Sequence, residues 1–108
     1  MRVAAYPPEV SEFSALRIAS EPSHRVSVAG VKAANVRFEC RLREVLAISS
    51  LPMGGHMMLL DVINIFVNES MLIDGQIAAN LLNTIGKLGG DSYTTTHERF
   101  EMARPELK

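Results

Sequence analysis

The clearest pattern in the chain is the strict alternation from Val36 to Leu42. Val36, Phe38, Cys40 and Leu42 fall on one side, and Arg37, Glu39, Arg41 and Arg43 on the other. This period of two predicts a strand with one face buried and one wet. After Glu44 the alternation slips, because Val45, Leu46, Ala47 and Ile48 are all apolar, and a β-bulge near Glu44 accounts for the slip. Residues 49–55, with Pro52, Gly54 and Gly55, form the connection. A second strand follows over Met57 to Val67, and here both sides are apolar. Met57, Leu59, Ile63, Ile65 and Val67 occupy one, Met58, Leu60, Val62 and Phe66 the other, with only Asp61 and Asn64 interrupting.

A hairpin strand in a lone small domain keeps one face in water, so a strand apolar on both sides has to be covered twice. The short helices expected elsewhere in the chain can cover one face. A second copy of the chain is the economical cover for the other, which predicts a homodimer through residues 57–67. Leaving that face exposed costs about 25 cal/mol per Å². Over several large side chains this is comparable with the whole stability of a small domain.

The flanking segments are weaker. Pro7-Pro8 with Glu9 and Glu12 opens a helical candidate whose apolar face is Val10, Phe13 and Leu16, stopping near Ala19. Glu21-Pro22-Ser23 reads as a turn, and His24, Val26 and Val28 alternate as a short strand ended by Gly30. Asp74-Gly75 is a tight-turn signal. Ile77, Leu81 and Ile85 predict an amphipathic helix over residues 76–85, closed by Gly86. Gly89-Gly90 is a flexible loop, Tyr93 to Phe100 is extended or irregular, and Arg104-Pro105 marks a frayed end.

Composition adds bounds. The chain has 108 residues, 47% hydrophobic and 21% charged, with a formal net charge of -1, which fits one globular domain. No basic patch points to nucleic acid, and no apolar run approaches the roughly 18 to 20 residues that span a bilayer. Residues 1–10 carry one Arg and two prolines in place of an apolar leader core. By this absence of signals the expected location is cytoplasmic. The single cysteine, Cys40, excludes an internal disulfide and reads as a small buried hydrophobe.

Candidate chemistry is sparse. His24, His56 and His97 have no metal-ligand spacing, HExxH and CxxC are absent, and no GxSxG elbow exists. Lys87 is followed by Leu88, which defeats a phosphate-loop reading, and without a secretion signal the sequon at Asn68-Glu69-Ser70 is a chance match. The segment Gly86-Lys87-Leu88-Gly89-Gly90 has two readings. One is a helix C-cap and loop. The other is a backbone passing close to a flat ligand, with Lys87 as cation and Tyr93 as aromatic wall. Spacing alone does not choose. Asp61, inside an apolar strand, needs a partner if buried, or emerges at a barrel mouth.

Several segments taken in order resemble the C-terminal part of flavin-reductase-like proteins. They are Phe38-Glu39-Cys40-Arg41-Leu42, the strand to Val67, the turn Ile73-Asp74-Gly75, and Ile85 to Tyr93 with its Leu88-Gly89-Gly90-x-x-Tyr93 core. The ending Glu98 to Pro105 and the proline-led Pro7 to Phe13 segment are similar as well. The resemblance implies an α+β, mostly antiparallel fold: a partial FMN-binding split barrel with short flanking helices, in one domain over residues 1–108. The N-terminal barrel half, which carries most phosphate and ring contacts, would be absent. It further implies a homodimer with FMN between subunits and NAD(P)H as the reductant. Lys87, Gly89, Gly90 and Tyr93 are the positions expected near the flavin; no catalytic residue and no metal site is assigned. The chain departs from the family pattern at five places. Leu60 stands where glycine is usual, Asn64 and Phe66 where histidine is common, and Lys87 and Thr95 where arginine is common. A divergent protein inactive alone, a non-catalytic dimeric interaction domain, and one half of a split flavoprotein are the corresponding expectations.

Overall fold

The computed structural model describes Tyr6 to Leu107; the first half of the segment read as lacking a leader, residues 1–5, lies outside it. Among the described residues the fold is mostly antiparallel strand, with two α-helices of one turn each. The chain divides into two compact units, one reaching to Asn68 and one from Glu69 onward.

In the first unit, α1 (Glu12–Ala15) is capped by Ser11, whose hydroxyl accepts from the Phe13 amide at 3.3 Å. It is shorter than the expected helix. Arg17 takes a left-handed φ of 54° and the Ile18 amide donates to the Phe13 carbonyl at 2.8 Å, which closes the turn from behind. The strand expected over His24 to Val28 does not form. Instead β1 (Ser20–Glu21) pairs with β2 (Gly30–Val31), and the residues between them bend.

The unit is dominated by a ribbon of β3 (Val36–Ala47) and β4 (His56–Val67). Both expected strands are present and longer than the alternation alone defines. The ladder skips one residue on each strand: Ile63, between the pairs Glu39–Asn64 and Cys40–Val62, and Arg43, between Leu42–Leu60 and Glu44–Leu59. The second bulge is the one that the slip near Glu44 predicts. Paired residues of an antiparallel ladder project to the same side, so each bulge reverses the parity of its strand. Val67 and Ile65 thereby join Val62, Leu60 and Met58, while Val45 continues the side of Phe38, Cys40 and Leu42. The two irregularities assemble one uninterrupted apolar face. The opposite, mixed face sets Arg37, Glu39, Arg41 and Glu44 against Phe66, Asn64, Asp61 and Leu59. The expected sorting of residues 57–67 is corrected accordingly: Met58, Leu60, Val62, Ile65 and Val67 share one face, and Met57, Leu59 and Phe66 keep the other partly apolar.

The bend between β1 and β2 is tied to the mixed face through Glu39. Its carboxylate accepts the amides of His24 at 3.0 Å and Arg25 at 2.6 Å. Arg37 pairs with Glu21 at 2.6 Å, donates to the Val31 carbonyl at 3.0 Å, and lies 3.9 Å over the Phe66 ring. His24 stacks on the same ring with centroids 6.2 Å apart. Glu39 is the one buried polar residue among those described, at 4% exposure.

In the second unit a 3₁₀ turn (Glu69–Met71) leads into β5 (Leu72–Ile73), which pairs with β6 (Gln76–Ile77) around Asp74 and Gly75. Both turn residues have positive φ, 52° and 76°, the left-handed pair that a two-residue hairpin demands. The helix expected over residues 76–85 is therefore cut down. Gln76 and Ile77 are held in the hairpin, Ala78 offers no capping side chain, and Asn83 turns left-handed at 47°. Only α2 (Ala79–Leu82) remains, followed by β7 (Ile85–Lys87) paired with β8 (Tyr93–Thr95). No helix among the described residues is long and apolar enough to cross a membrane.

No hydrophobic side chain among the described residues is buried; Phe38, Leu42, Met58, Val62 and Ile65 on the apolar face are 48–63% exposed. Cys40, expected to be buried, is only half-covered.

The Glu39 carboxyl sits below its ordinary range, chiefly because the His24 amide donates to the charged form, with the Arg25 amide and the Asn64 side chain acting in the same direction against partial desolvation. A carboxylate whose folded-state affinity for protons is lowered contributes stability above its unfolded pKa, and that contribution is lost as pH falls through the folded value. Glu39→Gln is therefore expected to flatten the acid limb of a urea-midpoint profile, as pH falls below the ordinary carboxylate range. An unchanged acid limb in the variant would contradict this role.

Candidate functional site

The expected ligand positions lie together on one small hairpin of the second unit. In the β7–β8 ladder Lys87 is opposite Tyr93, Gly86 opposite Thr94, and Ile85 opposite Thr95. The Leu88 amide donates to the Ser92 carbonyl at 2.9 Å and the Ser92 amide to the Gly89 carbonyl at 3.2 Å, which folds residues 88–92 into a compact tip. Thr84 and Thr96 join hydroxyls at 3.2 Å at the open end. Gly86 sits within a strand, so the C-cap reading of this segment is overturned; the helix ends earlier, at Asn83.

Lys87 and Tyr93 meet across the ladder, and the lysine is committed. Its ammonium lies 4.6 Å from the centroid of the Tyr93 ring and donates to the Gly90 carbonyl. It fastens the tip to the ladder and charges one side of the aromatic ring. Tyr93 remains 59% exposed, with Leu88 at 53% and Ile85 at 67% beside it. The hairpin thus presents a planar aromatic, apolar neighbours and glycine backbone.

The two tip glycines have different reasons. Gly90 has φ of 61°, a conformation that L side chains rarely adopt. Gly89 has no such φ, and a Cβ added there would meet nothing within 4 Å. The internal structure requires Gly90 and leaves Gly89 unexplained. A bare backbone at an open tip is the feature that a close-approaching flat ligand uses.

Three of the departure positions, Leu60, Asn64 and Phe66, serve the first unit, while Thr95 lies on β8 opposite Ile85. Phe66 carries the Arg37 and His24 contacts, Asn64 faces Glu39 across the ladder, and Leu60 lies on the apolar face. Asp61 is not a lone buried acid: it pairs with Arg43, the residue that the bulge leaves over, and both are well exposed. Beside β3 the bend brings Val26 and Val28 against Phe38, Leu42, Met58 and Leu60 to form an open, mainly apolar groove of about 400 Å³. Glu39, Arg37 and His24 were not singled out by the sequence, because the charged side of an alternating strand normally reads as solvated; only the pairing shows them holding the bend. Among the described residues no three His, Cys, Asp or Glu side chains converge to hold a metal ion.

No model of a protein family matches the chain. Its sequence is 29% identical over 105 residues to an uncharacterised protein of Halalkalibacterium halodurans, covering 94% of this chain and 49% of that protein. Among solved structures, component B of nitrilotriacetate monooxygenase from Bacillus cereus is similar with a TM-score of 0.75 and 29% identity, over 84% of this chain and 47% of that one. The 2-nitrobenzoate 2-nitroreductase of Pseudomonas fluorescens gives a TM-score of 0.79 at 24% identity, over 92% and 50%. A flavin reductase described as having a split barrel domain, from Shewanella frigidimarina, gives 0.70 at 22%, over 97% and 51%. The neighbours are flavin-reductase- and nitroreductase-like split-barrel proteins, and the chain spans about half the length of each.

The two glycines give a direct contrast. Gly90→Ala is expected to destabilise the protein by about 1 kcal/mol through its left-handed backbone. Gly89→Ala is expected to leave stability within about 0.5 kcal/mol. Equal losses in chemical denaturation would show that Gly89 too is there for the fold.

Proposed function

We propose that this chain is a flavin-reductase-like module whose β7–β8 hairpin lies against the isoalloxazine ring of FMN, with NAD(P)H as reductant in the complete site. The observation that carries the reading is Gly89, a bare tip residue that the fold does not demand, beside the exposed Tyr93 ring in the segment that resembles flavin reductases. The split-barrel likeness to a monooxygenase component and to a nitroreductase supports it.

The residues present fit the ring better than the phosphate. Tyr93 supplies a planar surface, and Gly89 lets a flat edge approach the backbone. Lys87, engaged by Gly90 and by Tyr93, acts here as a positioning group that orients the aromatic wall. Bound flavin would supply two-electron chemistry, accepting hydride from a nicotinamide and passing the electrons onward. The part of this chain is to shape and exclude water from one side of the ring.

FMN titrated with the protein is expected to lose fluorescence and to co-elute on gel filtration. Tyr93→Ala should weaken binding by about five- to tenfold, the worth of one aromatic contact. Undiminished fluorescence and no co-elution at about 100 μM protein, well above a weak-site Kd, would refute flavin binding. The committed lysine and the changes at Asn64 and Phe66 favour a second reading, a binding module without turnover. NAD(P)H oxidation with added FMN above the protein-free rate would reject it.

A further inference from the structure

The bend between β1 and β2 is built as a strap, clamped at both ends and held in the middle by one side chain. At the ends Ser20 pairs with Val31 and Glu21 with Gly30. The Lys32 amide donates to the Ala19 carbonyl at 3.0 Å, and Arg37 bridges the Glu21 carboxylate and the Val31 carbonyl. Between these clamps residues 22–29 form no helix or strand. The Ser23 hydroxyl donates to the Val28 carbonyl at 2.5 Å, which gathers them into a loop with adjoining ends. The middle meets the ribbon at Glu39, whose two carboxylate oxygens each accept one amide, of His24 and of Arg25. Apolar grip on the strap is slight: Val28 is 73% exposed and Val26 only half-buried. Besides the stacking of His24 on Phe66, two charge-assisted hydrogen bonds are what keep the middle down.

We propose that residues 22–29 are a lid latched by the charge of Glu39, and that loss of this charge frees the lid while the β3–β4 ribbon stays folded. Ser23, Val26 and Val28 line the groove of about 400 Å³ together with Cys40, Leu42 and Leu60 of the ribbon, so release removes one wall of that groove. An ionised carboxylate only accepts, as two converging amide donors require. Protonation turns one oxygen into a donor facing another donor. The surrounding groups leave the decision to Glu39. From β4, Asn64 donates to the carboxylate. On the strap, charge on His24 favours the ionised carboxylate, so protonating His24 tightens the latch, and Arg25 is a permanent cation. From β3, Arg37 is engaged by Glu21, and Arg41 lies opposite Asp61. Every one of these groups belongs to the first unit, and the proposal does not rest on flavin binding.

Amide hydrogen exchange, read residue by residue at one protein concentration and divided by the intrinsic rate at each pH, tests the latch. In the unmodified protein the His24 and Arg25 amides are expected to lose protection about tenfold or more as pH falls through the carboxylate range. That is the worth of one charge-assisted hydrogen bond. The β3–β4 ladder amides should keep theirs, which marks a local opening. Reaction of Cys40 with an uncharged disulfide reagent, relative to the urea-unfolded chain at the same pH, should quicken in step. Glu39→Gln, with one acceptor and one donor in place of two acceptors, should be released already at neutral pH. Glu21→Gln and His24→Asn remove the other titrating groups of the strap and should retain the acid response. Protection of the two amides that is absent at neutral pH, unmoved by acid, or lost together with that of the ladder overturns the proposal. So does an acid response that disappears in Glu21→Gln or His24→Asn, and an unmoved Cys40 overturns the opening of the groove. The acid series on the unmodified protein decides by itself, so misfolding of Glu39→Gln would not rescue the proposal.

Discussion

The structure depends on how the β3–β4 ribbon disposes of its apolar side chains. Two bulges, one on each strand, bring Phe38, Leu42, Val45, Met58, Leu60 and Ile65 to a single side, and nothing described in that unit buries any of them. At about 25 cal/mol per Å² the exposed face represents several kcal/mol of unrealised stabilisation, a large part of what holds any domain of this size folded. The backbone hydrogen bonds of the ladder do not compensate, because each adds only about 1 kcal/mol net over its bond to water. Packing against another surface is thus the term that decides whether the ribbon is stable.

The mixed face solves a different problem. Glu39, Arg37 and Phe66 hold the bend between β1 and β2 with two backbone hydrogen bonds, an ion pair and ring contacts. Local charge and hydrogen bonding give that side its order without a hydrophobic core. In the second unit the β7–β8 hairpin is fixed in a similar way by Lys87, which ties Gly90 to Tyr93. Its exposed Tyr93 and unencumbered Gly89 are then free for a ligand. The two units share one trait: polar fasteners order the backbone, and apolar or aromatic surface is left outward for something else to meet.

Much of the ribbon was legible in the sequence. The alternation from Val36 to Leu42 and the slip after Glu44 locate β3 and one bulge, because period and parity are properties of sequence alone. The bulge at Ile63 was not legible, since the stretch around it is apolar at every step but Asp61 and Asn64 and a change of parity leaves no mark. The helix that spacing predicts over residues 76–85 is shortened to Ala79–Leu82. Ile77, Leu81 and Ile85 have helical spacing, yet the Asp74–Gly75 turn claims Gln76 and Ile77 for a hairpin, and Asn83 ends the remaining turn. The segment holding Lys87, Gly89, Gly90 and Tyr93 stands out in the sequence, whereas the ladder pairing of Lys87 with Tyr93 and the capture of the ammonium by Gly90 need coordinates.

Hydrogen exchange read amide by amide along β3 and β4, at two protein concentrations, tests most directly whether the ribbon relies on an outside surface. The account predicts that protection of these amides rises with concentration while the β7–β8 hairpin is unaffected. Strong protection independent of concentration would show that the ribbon is already stable on its own, and would contradict the account.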